Sequence, residues 1–104
     1  PENIVADGDA KSFFGAVCSG VKKSSEKVEA PETEEMGELS LRIKDIIIAH
    51  AKRDWRDNVI VHRNIKKALD DLLFDFIEEN NFDWDLDTID IIIDEIMMVA
   101  KKGY

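Results

Sequence analysis

Cysteine and histidine are nearly missing from this chain. In 104 residues there is one Cys and two His. A lone Cys18 cannot close an internal disulfide, which fits a reducing cytoplasm. So few soft ligands exclude a zinc site of the usual kind. His50 and His62 read as surface or interface residues. Long apolar runs are missing too. No stretch reaches the ~20 apolar residues of a membrane span, and no signal-peptide core is present. Pro1 stands where an initiator Met would be, so the expectation is a piece cut from a longer chain or a processed one. The composition is 44% hydrophobic, enough for one small domain that is marginal unless well packed or supported by a larger body.

The motifs of catalysis are absent as well. There is no GxxxxGK[ST] phosphate loop and no GxGxxG turn. No nucleophile elbow occurs, and Ser, His and Asp do not cluster. No Glu is followed two places on by Lys, so the Glu-x-Lys of metal-dependent nucleases is missing. The carboxylate pairs Asp70-Asp71, Glu78-Glu79 and Asp94-Glu95 are adjacent in sequence, and adjacent helical side chains point apart. They read as solvated faces rather than acid/base pairs. The expectation is a chain with no catalytic residue, no cofactor site and no metal site.

What the chain does have is charge, unevenly spread. The net charge of −9 argues against a general nucleic-acid binder, whose affinity comes from neutralising phosphates. Yet residues 50–67 hold Lys52, Arg53, Arg56, Arg63, Lys66 and Lys67 against Asp54 and Asp57 alone. Residues 68–100 hold eleven acids and no Lys or Arg. A basic waist and an acidic end follow, and such asymmetry can steer docking to a charged partner. Trp55 sits inside the basic stretch. Trp and Arg are enriched at interface hot spots, so Arg53, Trp55, Arg56, Arg63, Lys66 and Lys67 are the candidate docking residues. Two bland readings stand beside this one: a solvated helix face, and a Trp55 that plugs a corner of the core. A weak direct contact with DNA at the waist is a further reading.

Hydrophobic periodicity is helical throughout. Residues 9–23 read as a first helix capped by Asp9, with Phe13, Val17 and Val21 on one face; Gly15 and Gly20 each weaken it by about 1 kcal/mol relative to Ala. Residues 24–38, rich in Ser and Glu, read as a mobile acidic linker, with a helix able to begin near Thr33. Residues 38–53 carry Leu39, Ile43, Ile46, Ile47 and His50 along one face. After a break at 54–58, with Asp57 or Asn58 as N-cap, residues 59–79 form the clearest helix, its stripe running Val61, Ile65, Leu69, Leu72 and Phe76. Asn80 or Asn81 suits a left-handed stop. A fourth helix spans about 86–102, with Lys101 and Lys102 at its negative end. The fold class is therefore all-α: a small bundle of three to four helices, with residues 1–23 as an N-terminal helical segment, 24–38 as the linker and 39–104 as a three-helix core, all in one domain.

The run "DWDLDTIDIIIDE" at 83–95 raises a calcium loop. Asp83, Asp85 and Asp87 fit loop positions 1, 3 and 5. The sixth position is Thr88 where a sharp turn needs Gly, and the twelfth is Asp94 where a bidentate Glu belongs. The stripe Leu86, Ile89, Ile93, Ile96, Met97 and Ala100 runs straight through the loop with helical spacing. A helix start capped by Asp85 or Asp87 is the better reading, with a calcium-binding module kept as a rival.

The stretch "DWRDNVIVHRNIKKALDDLLFDFIEENNFDWDLDTIDIIIDEIMMVAKKGY" resembles the carboxy-terminal end of the R subunit of type I restriction–modification enzymes. The resemblance rests on the Asp54-Trp55 step, Asn58 with Val61, the Ile65 to Phe76 helix carrying Asp70-Asp71-Leu72-Leu73, and an acidic, Ile-rich last helix with a basic-aromatic tail. "KSFFGAV" at 11–17 is similar to an aromatic helix preceding that region. The match covers most of the chain, best from about 38 to 104. It implies a cytoplasmic parent that is an ATP- and Mg-dependent DNA translocase and endonuclease with its motifs upstream. It also implies that this end docks the R subunit onto the methyltransferase–specificity core and meets DNA only through the complex. The alternative is a freestanding acidic helical adaptor or regulator with a basic partner.

Overall fold

A computed structural model describes residues 2–24 and 34–104, with side chains from Lys11 onward. The described residues form four α-helices: α1 (Glu2–Ser24), α2 (Glu34–His50), α3 (Val59–Asn80) and α4 (Leu86–Gly103). A 3₁₀ turn at Trp55–Asp57 links α2 to α3. No strand occurs among the described residues. Each helix packs on the next in sequence, and α1 closes the ring on α4. The α1–α4 seam is the most extensive of the four and α3–α4 the thinnest. None of the described helices is long and apolar enough to cross a membrane.

Local chemistry sets the helix ends. The Asn58 side chain accepts from the amides of Ile60 and Val61, two of the orphan donors at the start of α3. Asn81 (φ 56°, ψ 43°) ends α3 in the left-handed region, which Asn tolerates better than most residues. Asp85 caps α4, its carboxylate accepting from both the amide and the hydroxyl of Thr88 at 2.8 and 2.9 Å. The aspartates of "DWDLDT" therefore begin a helix.

Several sequence expectations need correcting. The first helix starts at Glu2, so Asp9 lies within it and does not cap it. The second begins at Glu34, close to the Thr33 start that the sequence allowed, so the 24–38 span is not linker to its end; Met36 is fully buried and anchors that first turn to the core. Ser24 is the last residue of α1. The rest of the expected mobile linker, 25–33, lies outside the described residues. The core is not confined to 39–104: Phe13, Ala16, Val17 and Val21 of α1 are buried in it. Leu86 is 65% exposed although Thr88 and Ile89 of the same turn are buried, and fully buried Ile92 takes a place in the inward stripe.

α1 and α4 run antiparallel, as their contacts show. Phe13 stacks on Tyr104. Ser19 donates to Glu95, Gly20 abuts Ile92, and Ser24 shares a short hydrogen bond with Thr88. Residue numbers rise on one helix as they fall on the other.

Candidate functional site: a charge-polarised face

The corner between α2 and α3 is built around Trp55. Asp54 takes a left-handed backbone (φ 60°, ψ 24°) that swings the chain into the 3₁₀ turn. This places Trp55 in the core at 2% exposure. Its Nε1 donates to the Tyr104 carbonyl at 3.2 Å, and its ring meets His62 edge-on at a centroid distance of 5.6 Å. Trp55 thus fastens the corner to the end of α4. It offers almost no surface to a partner.

The other five candidate docking residues are exposed. Arg56 covers the Trp55 ring with its guanidinium 6.0 Å from the centroid, and its Nε donates to the Lys101 carbonyl at 2.7 Å. That bond satisfies a carbonyl near the negative end of α4. Arg53 stands at the same corner. Arg63, Lys66 and Lys67 lie further along, on α3, lining an open groove of about 610 Å³ between α3 and α4. The six candidates thus divide into a corner group and a groove group, with Trp55 withdrawn into the core.

The groove is not purely basic. Asp70, Asp90 and Asp94 share its walls, with Ile93 at its floor. Sequence reasoning placed Asp90 and Asp94 in an acidic end and missed that the α3–α4 hairpin folds that end back alongside Arg63 and Lys67. A short turn between two helices predicts an antiparallel pair, but Asp70 lies farther from the turn than Asp90 does, so spacing alone did not give the match. The observed packing sets Asp70 near Asp90. Partial burial first, then the charges of Asp71 and Asp90, hold the Asp70 carboxyl above its ordinary range.

A second groove, between α2 and α3, is acidic. Glu35, Glu38, Asp75 and Glu79 line it, with Arg42 the only cation among its walls. Arg42 is already engaged one turn back, with Glu38 at 3.1 Å. The remaining ion pair among the described residues joins an exposed lysine to a buried glutamate. Lys23 of α1 meets Glu95 of α4, whose carboxylate also accepts from Ser19 at 3.1 Å. The Lys23 hydrogen bond foremost, with Ser19 and the Lys23 charge assisting, holds Glu95 below its ordinary range although burial opposes this. This trio is a tie between helices, and the sequence did not single it out.

No three His, Cys, Asp or Glu among the described residues are grouped as metal ligands. The arrangement can do two things chemically: present charge of both signs along one face, and hold it beside a corner tied to the end of α4 by Trp55 and Arg56. Set against protein-family models, curated proteins and solved structures, the chain gave no match in any of the three comparisons.

Proposed function

We propose that this chain is a non-catalytic helical assembly domain of a type I restriction R subunit, docking that subunit onto its methyltransferase–specificity core. The resemblance of residues 38–104 supplies the family. One observation carries the docking role: Arg53, Arg63, Lys66 and Lys67 are exposed on the bundle and in neither of the ion pairs found among the described residues. Charges placed this way speed and orient encounter with an acidic surface. Asp70, Asp90 and Asp94 beside them oppose a phosphate backbone, so DNA is reached through the parent complex, and any direct contact at the waist is weak. In this reading ATP and Mg serve the parent's motor and nuclease parts.

A second reading, a freestanding acidic adaptor with a basic partner, is favoured by the α2–α3 groove and its four carboxylates.

The test is binding of the chain to the methyltransferase–specificity core of its own system, beside an Arg53→Glu, Arg63→Glu, Lys67→Glu variant. All three side chains are exposed, so the variant keeps its fold. Binding lost on charge reversal supports the docking role through the basic face. Binding unchanged moves the interface elsewhere. No binding by either protein sinks the assembly role and leaves the adaptor reading, which predicts capture of a basic partner weakened by Asp75→Lys, Glu79→Lys.

A further inference from the structure

The charge order of α3 runs against its own helix dipole. Its N-terminal half carries Arg63, Lys66 and Lys67, and its C-terminal half carries Asp70, Asp71, Asp75, Glu78 and Glu79. The helix dipole favours the reverse, acids first and bases last. No acid stands in the first turn of α3 and no base in its last. The neighbouring α4 offsets this only in part: Asp90 and Asp94 share a groove with Arg63, Lys66 and Lys67, none of them in either ion pair found among the described residues, and Asp90 also lies near Asp70.

The side of α3 that points away from the core carries a second signal. Ile65, Leu69, Leu73 and Phe76 face inward. Opposite them run Ile60, Arg63, Lys67, Asp71, Phe74 and Glu78, all exposed. Their spacing of three and four is that of a helix-pairing seam. Two of the six are large and apolar, with Ile60 66% and Phe74 38% exposed. Read forward, the row goes apolar, two bases, an acid, apolar, an acid. A copy of the same row running the other way puts acid against base.

We infer that two copies of this chain associate through the outward face of α3, antiparallel about a two-fold axis near residue 69. In that register Lys67 of each copy meets the partner's Asp71, and Ile60 of each reaches the level of the partner's Phe74 and Glu78. The interface is isologous: each contact occurs twice. The partner's α3 also runs its dipole opposite to this one and brings its acidic half beside Arg63 and Lys67. The occupant is a second copy because this one face supplies both halves of the charge pattern. The inference is independent of the docking role proposed above, since it concerns the isolated chain.

Sedimentation equilibrium from micromolar to near-millimolar chain, at low salt, tests it. The expected result is a concentration-dependent mass rising toward twice that of the chain. Lys67→Glu alone and Asp71→Lys alone each turn two attractive contacts into repulsive ones, so each should weaken the dimer roughly tenfold or more. The combined Lys67→Glu, Asp71→Lys variant exchanges the signs and should restore it. Both positions are exposed, and unchanged melting of all three variants checks the fold. A monomer at every concentration overturns the inference. So does a dimer indifferent to both single changes, or one that the double variant fails to regain.

Discussion

Gly20 of α1 lies so close to Ile92 of α4 that a Cβ at Gly20 would stand 2.7 Å from the Ile92 Cα, a backbone atom that cannot swing aside. The closest approach of the two most extensively packed helices depends on that missing methyl. Gly15, five residues earlier on the same helix, has nothing within 4 Å of its own Cβ position.

Opposite outcomes are therefore expected from one substitution at two places. Gly15→Ala should stabilise the protein by up to about 1 kcal/mol through helix propensity. Gly20→Ala gains the same propensity but must push α1 from α4, an overpacking cost of typically about 1–3 kcal/mol. The net should be a loss. Urea titration of both variants decides the matter, and equal gains would mean that α1 does not pack on α4 as described.

The Lys23–Glu95–Ser19 tie should make stability sensitive to acid. Glu95 is held below its ordinary value in the folded state, chiefly by Lys23. Its contribution is complete above the unfolded carboxylate range, about pH 4–5, and is lost as pH falls through the lower folded value. Asp85, lowered mainly by its bond from the Thr88 amide, acts in the same direction. Asp70 acts in the opposite sense: its raised value means that stability is gained as pH falls through the window above about 4. Glu95→Gln should flatten the acid limb of a melting-temperature profile and leave Asp70's rise in place. An unaltered acid limb would show that the tie is broken in solution.

Helix caps offer a cleaner measure of local chemistry. Asn58→Ala removes the acceptor for the Ile60 and Val61 amides and should cost about 1 kcal/mol. Asp85→Ala should cost at least as much, because Asp85 also orients the Thr88 hydroxyl that Ser24 engages. Hydrogen exchange at the first turns of α3 and α4 should speed up in the respective variants and stay unchanged at the other cap.

Trp55 should behave as a structural residue. Trp55→Ala removes a buried indole, its bond to Tyr104 and its contact with His62, a loss of about 3–5 kcal/mol. For a domain of this size that is a large share of total stability. Arg56→Ala, on an exposed side chain, should cost far less. Comparing their melting temperatures separates fold from docking, because any loss of partner binding in Trp55→Ala reflects unfolding unless the melt is preserved.

Much of this molecule was written locally. The four helices follow from apolar spacing, and Asn58, Asp85 and Asn81 mark their ends as side-chain chemistry dictates. Residues 83–95 could be told from a calcium loop because Thr88 cannot replace Gly there and because the stripe from Ile89 to Ala100 does not pause. The exposed cations were legible as a cluster in sequence. Local reading failed where the cause was distant. Nothing near Met36 in sequence says that it enters the core, so the core was expected to begin at 39 although a helix start near Thr33 was legible. Leu86 looked like the first member of an inward stripe and faces solvent instead.

The sequence by itself determined the helices, their caps and the imbalance of charge, because each depends on residues within one or two turns of one another. Only the tertiary structure decided that Trp55 turns inward to Tyr104, that Gly20 is a contact rather than a weakness, and that Lys23 finds Glu95 across 72 residues of chain. It alone set Asp90 beside Asp70 and turned outward a face of α3 that carries both bases and acids. Those outcomes depend on which helix lies against which and in what direction, and that choice is made by burial summed over the whole core.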